Sequence, residues 1–231
     1  MKRLRLFSIF MFLVLSIYSF PSGSYSAVTQ ISDPGLTDYD IAGRVRNGLN
    51  GWELAAIYED PYVMGANKDF SSSWLYGTDL NFNFSYIVST GTLSMGVDYD
   101  NSGTIASSEM ASYAFSTYAG KGFQYLDMML VGTSSLPLSD ANVKNLNING
   151  TSFGSYNSGG VWTNTYFNLG ATPTDILITG QVDMTASGGS QERPKMEFKV
   201  GAPVVPEPIS STLFVVGGVI FAARRFYRRK S

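Results

Sequence analysis

The sequence predicts a mainly β protein: an antiparallel β-sandwich body between an N-terminal signal peptide and a single C-terminal transmembrane helix. Three observations predict it. Apolar residues recur with a period of two along much of the chain, so alternate side chains fall on one face of a strand. Turn formers and aromatics are abundant, with 24 Gly, 14 Tyr and 15 Phe, while helix signals are scarce. Two uncharged apolar runs, each beside a basic cluster, bracket the body. The expected organisation is a signal peptide at 1–26, a β-sandwich domain at 27–201, a linker at 202–208, and a transmembrane helix with a basic tail at 209–231.

The start of the chain has the layout of a secretory signal peptide. Lys2, Arg3 and Arg5 precede an uncharged apolar run at 6–20, and small polar residues follow at 22–27. Cleavage after Ser26 places Ser24 at the −3 position, where a small residue is needed. The remaining body is long enough for one domain with its own core. It holds 8 Lys and Arg against 17 Asp and Glu, a net charge of −9, where the whole chain carries −2. Such a surface repels nucleic acid phosphates and suits cations, neutral sugars or basic partners. The chain has no Cys and no His. Disulfides, Cys nucleophiles, His bases, Ser-His-Asp triads and the usual zinc sites are therefore excluded within it.

Within the body, short stretches at 38–46 and 52–58 flank the turn-rich segment 47–51. The clearest strand is 80–88: Leu80, Phe82, Phe84, Tyr86 and Val88 share one face, and Asn81, Asn83 and Ser85 the other. A Gly-containing loop at 89–92 leads to a second alternation, Leu93, Met95, Val97 and Tyr99, which reads as a hairpin. Segment 123–131 is apolar on both faces, as in a buried central strand; 143–148 runs into the turn Asn149-Gly150, and 161–169 is aromatic-rich. Ile176, Ile178, Val182 and Met184 keep period two across Gly180, which marks a bulge. An exposed loop is expected at 185–194, and Met196, Phe198 and Val200 form a last strand before the prolines. About ten short strands with turns between them favour a sandwich over a closed barrel.

The segment 98–109 carries the one constellation with a chemical spacing. An EF-hand loop sets oxygen ligands at positions 1, 3 and 5, a Gly at 6, a backbone carbonyl at 7 and a bidentate Glu at 12. Asp98, Asp100, Ser102, Gly103, Thr104 and Glu109 stand at those places, and the aliphatic Ile105 at position 8. The segment resembles an EF-hand loop or the related calcium loops of exported modules. Ser102 lowers the ligand charge, and the incoming 93–97 alternates like a strand, so no entering helix exists; the exit at 109–118 reads as helical. The other reading is a hairpin turn at Asp100-Asn101-Ser102-Gly103 with Glu109 solvated. No other cofactor is required by the sequence.

The C-terminal stretch runs Val205-Pro206-Glu207-Pro208, an uncharged apolar run at 209–223, then Arg224, Arg225, Arg228, Arg229 and Lys230. The prolines fix φ and remove donors, so neither helix nor central strand passes through them. A helix of about 15 residues is about 22 Å long, short against a hydrocarbon core of roughly 30 Å. Phe226 and Tyr227 lengthen it at the interface, the arginines snorkel, and the basic end stays cytoplasmic.

This tail resembles a PEP-CTERM sorting signal. Val205, Pro206, Glu207 and Pro208 match its signature, Leu213 and Gly217 fall where the family has Leu and Gly, and Arg224 and Arg225 match its basic stop. The resemblance covers the 27 residues from 205 to 231. It implies a Gram-negative bacterium with an extracellular polysaccharide matrix. It also implies recognition by an exosortase, a membrane cysteine transpeptidase that cuts near Pro-Glu-Pro; the matched residues would be recognition residues of a substrate. The body is similar in overall texture to the choice-of-anchor β-sandwich domains that often precede such a tail.

The expectation is a protein exported through the Sec translocon, held transiently in the inner membrane, then placed at the cell surface or in the extracellular matrix. Its body would be structural or adhesive and non-catalytic. Alternatives are a calcium-assisted carbohydrate-binding module, a glycoside hydrolase acting on matrix polysaccharide, or an unprocessed single-pass membrane protein. A hydrolase needs two facing carboxylates; Glu53, Glu59, Asp60, Asp127 and Glu192 are available, but no motif pairs them. Trp52, Trp74 and Trp162 could stack on sugar rings or sit in the core.

Overall fold

A computed structural model describes residues 27–36, 38–46, 53–58, 62–69, 77–134, 139–170, 174–185 and 194–204. The expected signal peptide, the Pro-Glu-Pro motif and the apolar tail lie outside these residues. Among the described residues no helix is long and apolar enough to cross a membrane.

Thirteen strands are described: β1 (Thr29–Ile31), β2 (Ile41–Arg46), β3 (Leu54–Tyr58), β4 (Val63–Lys68), β5 (Leu80–Ile87), β6 (Thr92–Val97), β7 (Met110–Ala114), β8 (Gly122–Val131), β9 (Asp140–Ile148), β10 (Thr151–Asn157), β11 (Trp162–Asn168), β12 (Ile176–Thr185) and β13 (Lys195–Val204). They form two antiparallel sheets, β1-β11-β8-β13-β2-β3-β4 and β10-β9-β12-β5-β6-β7. The predicted mainly β, sandwich-like body is thus found.

Alternation builds the core between the sheets. Leu80, Phe82, Phe84 and Tyr86 of β5 are buried, while Asn81, Asn83 and Ser85 point to the other face. Across the gap, β13 supplies Met196, Phe198 and Val200, and β8 supplies Leu126, Met128 and Leu130. Phe198 sits 5.6 Å from both Phe82 and Phe84, ring centre to ring centre, and so joins the two sheets. Burying such rings is worth about 1.5–3 kcal/mol each before packing terms. Edge seams also carry aromatics: Tyr58 meets Phe115 at 4.4 Å on one side, and Phe153 meets Phe167 at 4.9 Å on the other.

The bulge expected at Gly180 is corrected: the register does shift beside Gly180, but the extra residue is on β9, where Asn145 takes φ +53, while Gly180 stays in register with Phe82 of β5. Pairing steps from Thr179↔Asn147 to Gln181↔Lys144, and a Cβ on Gly180 would lie 2.9 Å from the Lys144 carbonyl oxygen. The β5–β6 hairpin is found; Gly91 turns it with φ +65, where a Cβ would meet the Phe115 carbonyl at 2.5 Å.

Two further expectations are corrected. The segment 109–118 is not helical: a one-turn 3₁₀ helix (Ser107–Glu109) leads into β7, and a second (Ser116–Tyr118) follows it. β6 offers β7 a free backbone edge, and pairing with it outweighs a short helix in that segment. The last strand does not stop at Val200 but runs to Val204, into the segment read as linker. Pro203 is tolerated there because β2 pairs with β13 only as far as Val200, leaving β8 as the one neighbour.

Candidate functional site

The loop between β6 and β7 is built from Asp98 outward. The Asp98 N–H donates to the Asn81 carbonyl at 2.9 Å, so its backbone stays tied to β5 after β6 has ended. The chain then reverses through two left-handed residues, Asn101 (φ +56) and Gly103 (φ +89), types that adopt this conformation at low cost. The reversal aims backbone N–H groups at the Asp98 carboxylate. Ser102 N–H and Gly103 N–H each donate to it at 2.8 Å, and the Ser102 hydroxyl lies 3.2 Å away. Ser102 N–H also reaches Asp100 Oδ1 at 3.0 Å. The Ser102 hydroxyl stands 3.1 Å from the Thr104 carbonyl oxygen, which draws that expected ligand into the same network.

Glu109 returns to the loop from the 3₁₀ turn. Its Oε2 accepts the Ala106 N–H at 2.8 Å, and its Oε1 faces the Asp100 N–H at 3.5 Å. Ile105 packs down on Gly96, where a Cβ would lie 2.8 Å from its Cγ2. The loop is thereby folded back onto the six-stranded sheet.

One carboxylate oxygen from each of Asp98, Asp100 and Glu109 lies within 4.8 Å of the others. Asp98 is 0 % exposed and Glu109 2 %. The reading with Glu109 solvated is therefore corrected: the 3₁₀ turn draws it inward. Burial pushes the Asp98 carboxyl up, but the backbone N–H groups of Gly103 and Ser102, with the Ser102 hydroxyl, outweigh it and hold Asp98 below the usual range. Among the described residues, no Lys or Arg bonds to these three acids. Three anionic groups this close, two of them shielded from water, repel one another unless a cation lies between them. The donor set is carboxylate, hydroxyl and carbonyl oxygen, which is hard-cation chemistry and fits Ca²⁺ better than softer metals. Asp98, Asp100, Ser102, Thr104 and Glu109 would hold it.

Other sequence candidates are placed as follows. The sorting-signal residues lie outside the described residues, as do Trp52, Trp74, Glu59, Asp60 and Glu192. Trp162 is 57 % exposed, its ring 5.4 Å from the Lys195 ammonium, so it is not a core residue. Glu53 and Asp127 are both buried.

Asp127 belongs to a charged group that the sequence reading missed. On the seven-stranded sheet, the face away from the core carries Asp127 (β8), Lys195, Glu197 and Lys199 (β13), and Arg44 and Arg46 (β2). All but Lys199 are buried. Glu197 accepts from Lys195 at 2.8 Å. Burial pushes its carboxyl up, and Lys195, Lys199 and Arg44 together pull it below the usual range. The alternation Lys195, Glu197, Lys199 is the signal that could have revealed this face. Compared with known proteins, the chain matches no family model and no curated relative.

Proposed function

We propose that the body is a non-catalytic β-sandwich module of an exported surface or matrix protein, with Ca²⁺ held in the loop between β6 and β7. The observation that carries the calcium reading is the meeting of three carboxylates within 4.8 Å, two of them on buried residues, with no basic partner among the described residues. Calcium would tie the end of β6 to the start of β7 and so fix an edge of the sandwich. Export and sorting rest on the signal-peptide layout and on the tail's resemblance to a PEP-CTERM signal. The partners are then the Sec translocon, the inner membrane in passing, an exosortase and extracellular polysaccharide.

Calorimetric titration of the full chain in mild detergent tests the calcium site. Heat of binding at micromolar to millimolar Ca²⁺, absent with Mg²⁺ and in Glu109→Gln, is expected; no heat at millimolar Ca²⁺ discards it. The sorting reading is tested in a matrix-forming host. A mature form lacking the tail, and an unprocessed one in Glu207→Ala, are expected; an intact tail in the wild type overturns sorting.

A second reading, sugar binding by the same module, is favoured by the exposed Trp162 ring. It predicts retardation of the protein in gels cast with neutral polysaccharide, reduced in Trp162→Ala.

A further inference from the structure

Asp127 stands in the middle of β8 on the face away from the core, and it is 2 % exposed. Its Oδ2 accepts from Asn164 Nδ2 at 2.7 Å, while its Oδ1 is buried with no hydrogen-bond partner. A buried carboxylate oxygen without a donor is costly, because nothing replaces the water it has lost.

The groups around it do not repair this. From β11 come Asn164 and Tyr166, the latter opposite Asp127 in the ladder. From β13 come Lys199, opposite on the other side, and Glu197 one step along the same face. Asp33 and Tyr39, from the segment between β1 and β2, also act on this position. Two of these neighbours are anionic. The nearby cations are shared: Lys195, Lys199 and Arg44 all act on Glu197, and Lys195 bonds it directly. The Tyr39 hydroxyl is itself buried without a partner.

We propose that Asp127 is the proton switch of this chain: in mildly acidic medium the native fold takes up a proton on the unpaired Oδ1, and the sandwich gains stability. A proton there removes the buried charge and relieves repulsion from Glu197 and Asp33. Burial above all, reinforced by Glu197 and Asp33 and opposed by Asn164 and Lys199, pushes this carboxyl up to about 6.

The sign follows from linkage. The folded value is raised, so the contribution to stability is fully present below the unfolded value of about 3.9. It is lost as pH rises through the folded value of about 6. The window is unusually clean, because the chain contains no His and no Cys to titrate beside it.

The test is urea unfolding of the full chain in mild detergent between pH 7.5 and 5. The wild-type midpoint is expected to rise as pH falls, while Asp127→Asn gives a midpoint independent of pH and above wild type at pH 7.5. A wild-type midpoint flat or falling over this range, or a variant that keeps the rise, overturns the proposal. Should the variant fail to fold, calorimetry of the wild type at pH 6 in buffers of different ionisation enthalpy decides. Unfolding should release about half a proton; release of none overturns it.

Discussion

Asp98 and Asp127 are both buried aspartates in the same sandwich, and their surroundings drive them in opposite directions. Asp98 sits in a loop that curls its own N–H groups onto the carboxylate, and its affinity for protons falls. Asp127 sits in the middle of a strand, where neighbouring strands already use the backbone donors. One side-chain amide reaches it, and its affinity for protons rises. Lack of exposure alone therefore does not set the charge state of a carboxylate: Asp127 lies deep in the sheet, where burial dominates, and Asp98 in a shallow loop. Depth and the supply of donors act together, and a loop can supply donors that a sheet cannot.

The comparison breaks or sharpens with substitution. The largest effect is expected from Asp98→Ala, which strips the acceptor from the N–H groups of Ser102 and Gly103. Loss of charge-assisted bonds predicts a cost of about 2–4 kcal/mol, read by urea unfolding at pH 7.5, together with loss of calcium binding. An unchanged midpoint would mean that the loop holds its shape without the carboxylate. Next comes Asp127→Asn, with the opposite sign: about 1–2 kcal/mol of added stability at pH 7.5. If both variants lose stability, the contrast drawn between them fails.

Asn164→Ala removes the side-chain amide that donates to Asp127. Stability at pH 7.5 should fall by about 0.5–1.5 kcal/mol, and the acid-induced gain should begin at higher pH. A gain that begins at lower pH would show that Asn164 does not favour the ionised form. Asp100→Asn should have the smallest effect on the calcium-free fold, since Asp100 is exposed. Its effect should appear in calcium titration as weaker binding, and a binding curve that overlays the wild type would remove Asp100 from the ligand set. Below about pH 4 the two aspartates part again. Asp98 has a lowered folded value, so its contribution is present above the unfolded value and is lost as pH falls through the folded one.

How much of this was legible follows the same division between local and distant. β5 and β12 were visible because period-two alternation is a property of adjacent residues, and β8 because its run is apolar on both faces. β4, β7 and β10 were not: β4 is broken by Gly65, β7 has five residues, and Gly154 at φ +83 interrupts β10. The acid loop was legible because all its ligands lie within twelve residues at fixed spacing. The burial of Glu109 was not, since it depends on a 3₁₀ turn that forms against the sheet. The surroundings of Asp127 were hidden altogether. Lys199 and Glu197 lie some 70 positions downstream, and only the pairing of β8 with β13 brings them beside it.

β13, the last strand, lies between β8 and β2. It divides the larger sheet into two groups of three strands, β1-β11-β8 and β2-β3-β4, with no direct ladder between them. A chain that emerges N-terminus first therefore carries both groups, once β11 is out at residue 168, as pieces that cannot yet zip together. The keystone arrives with the final described residues, and the sheet closes in one late, long-range step. Until then the inner edges of β2 and β8 are open to any extended segment that passes. The period of greatest exposure to mispairing thus ends only when residue 204 is delivered.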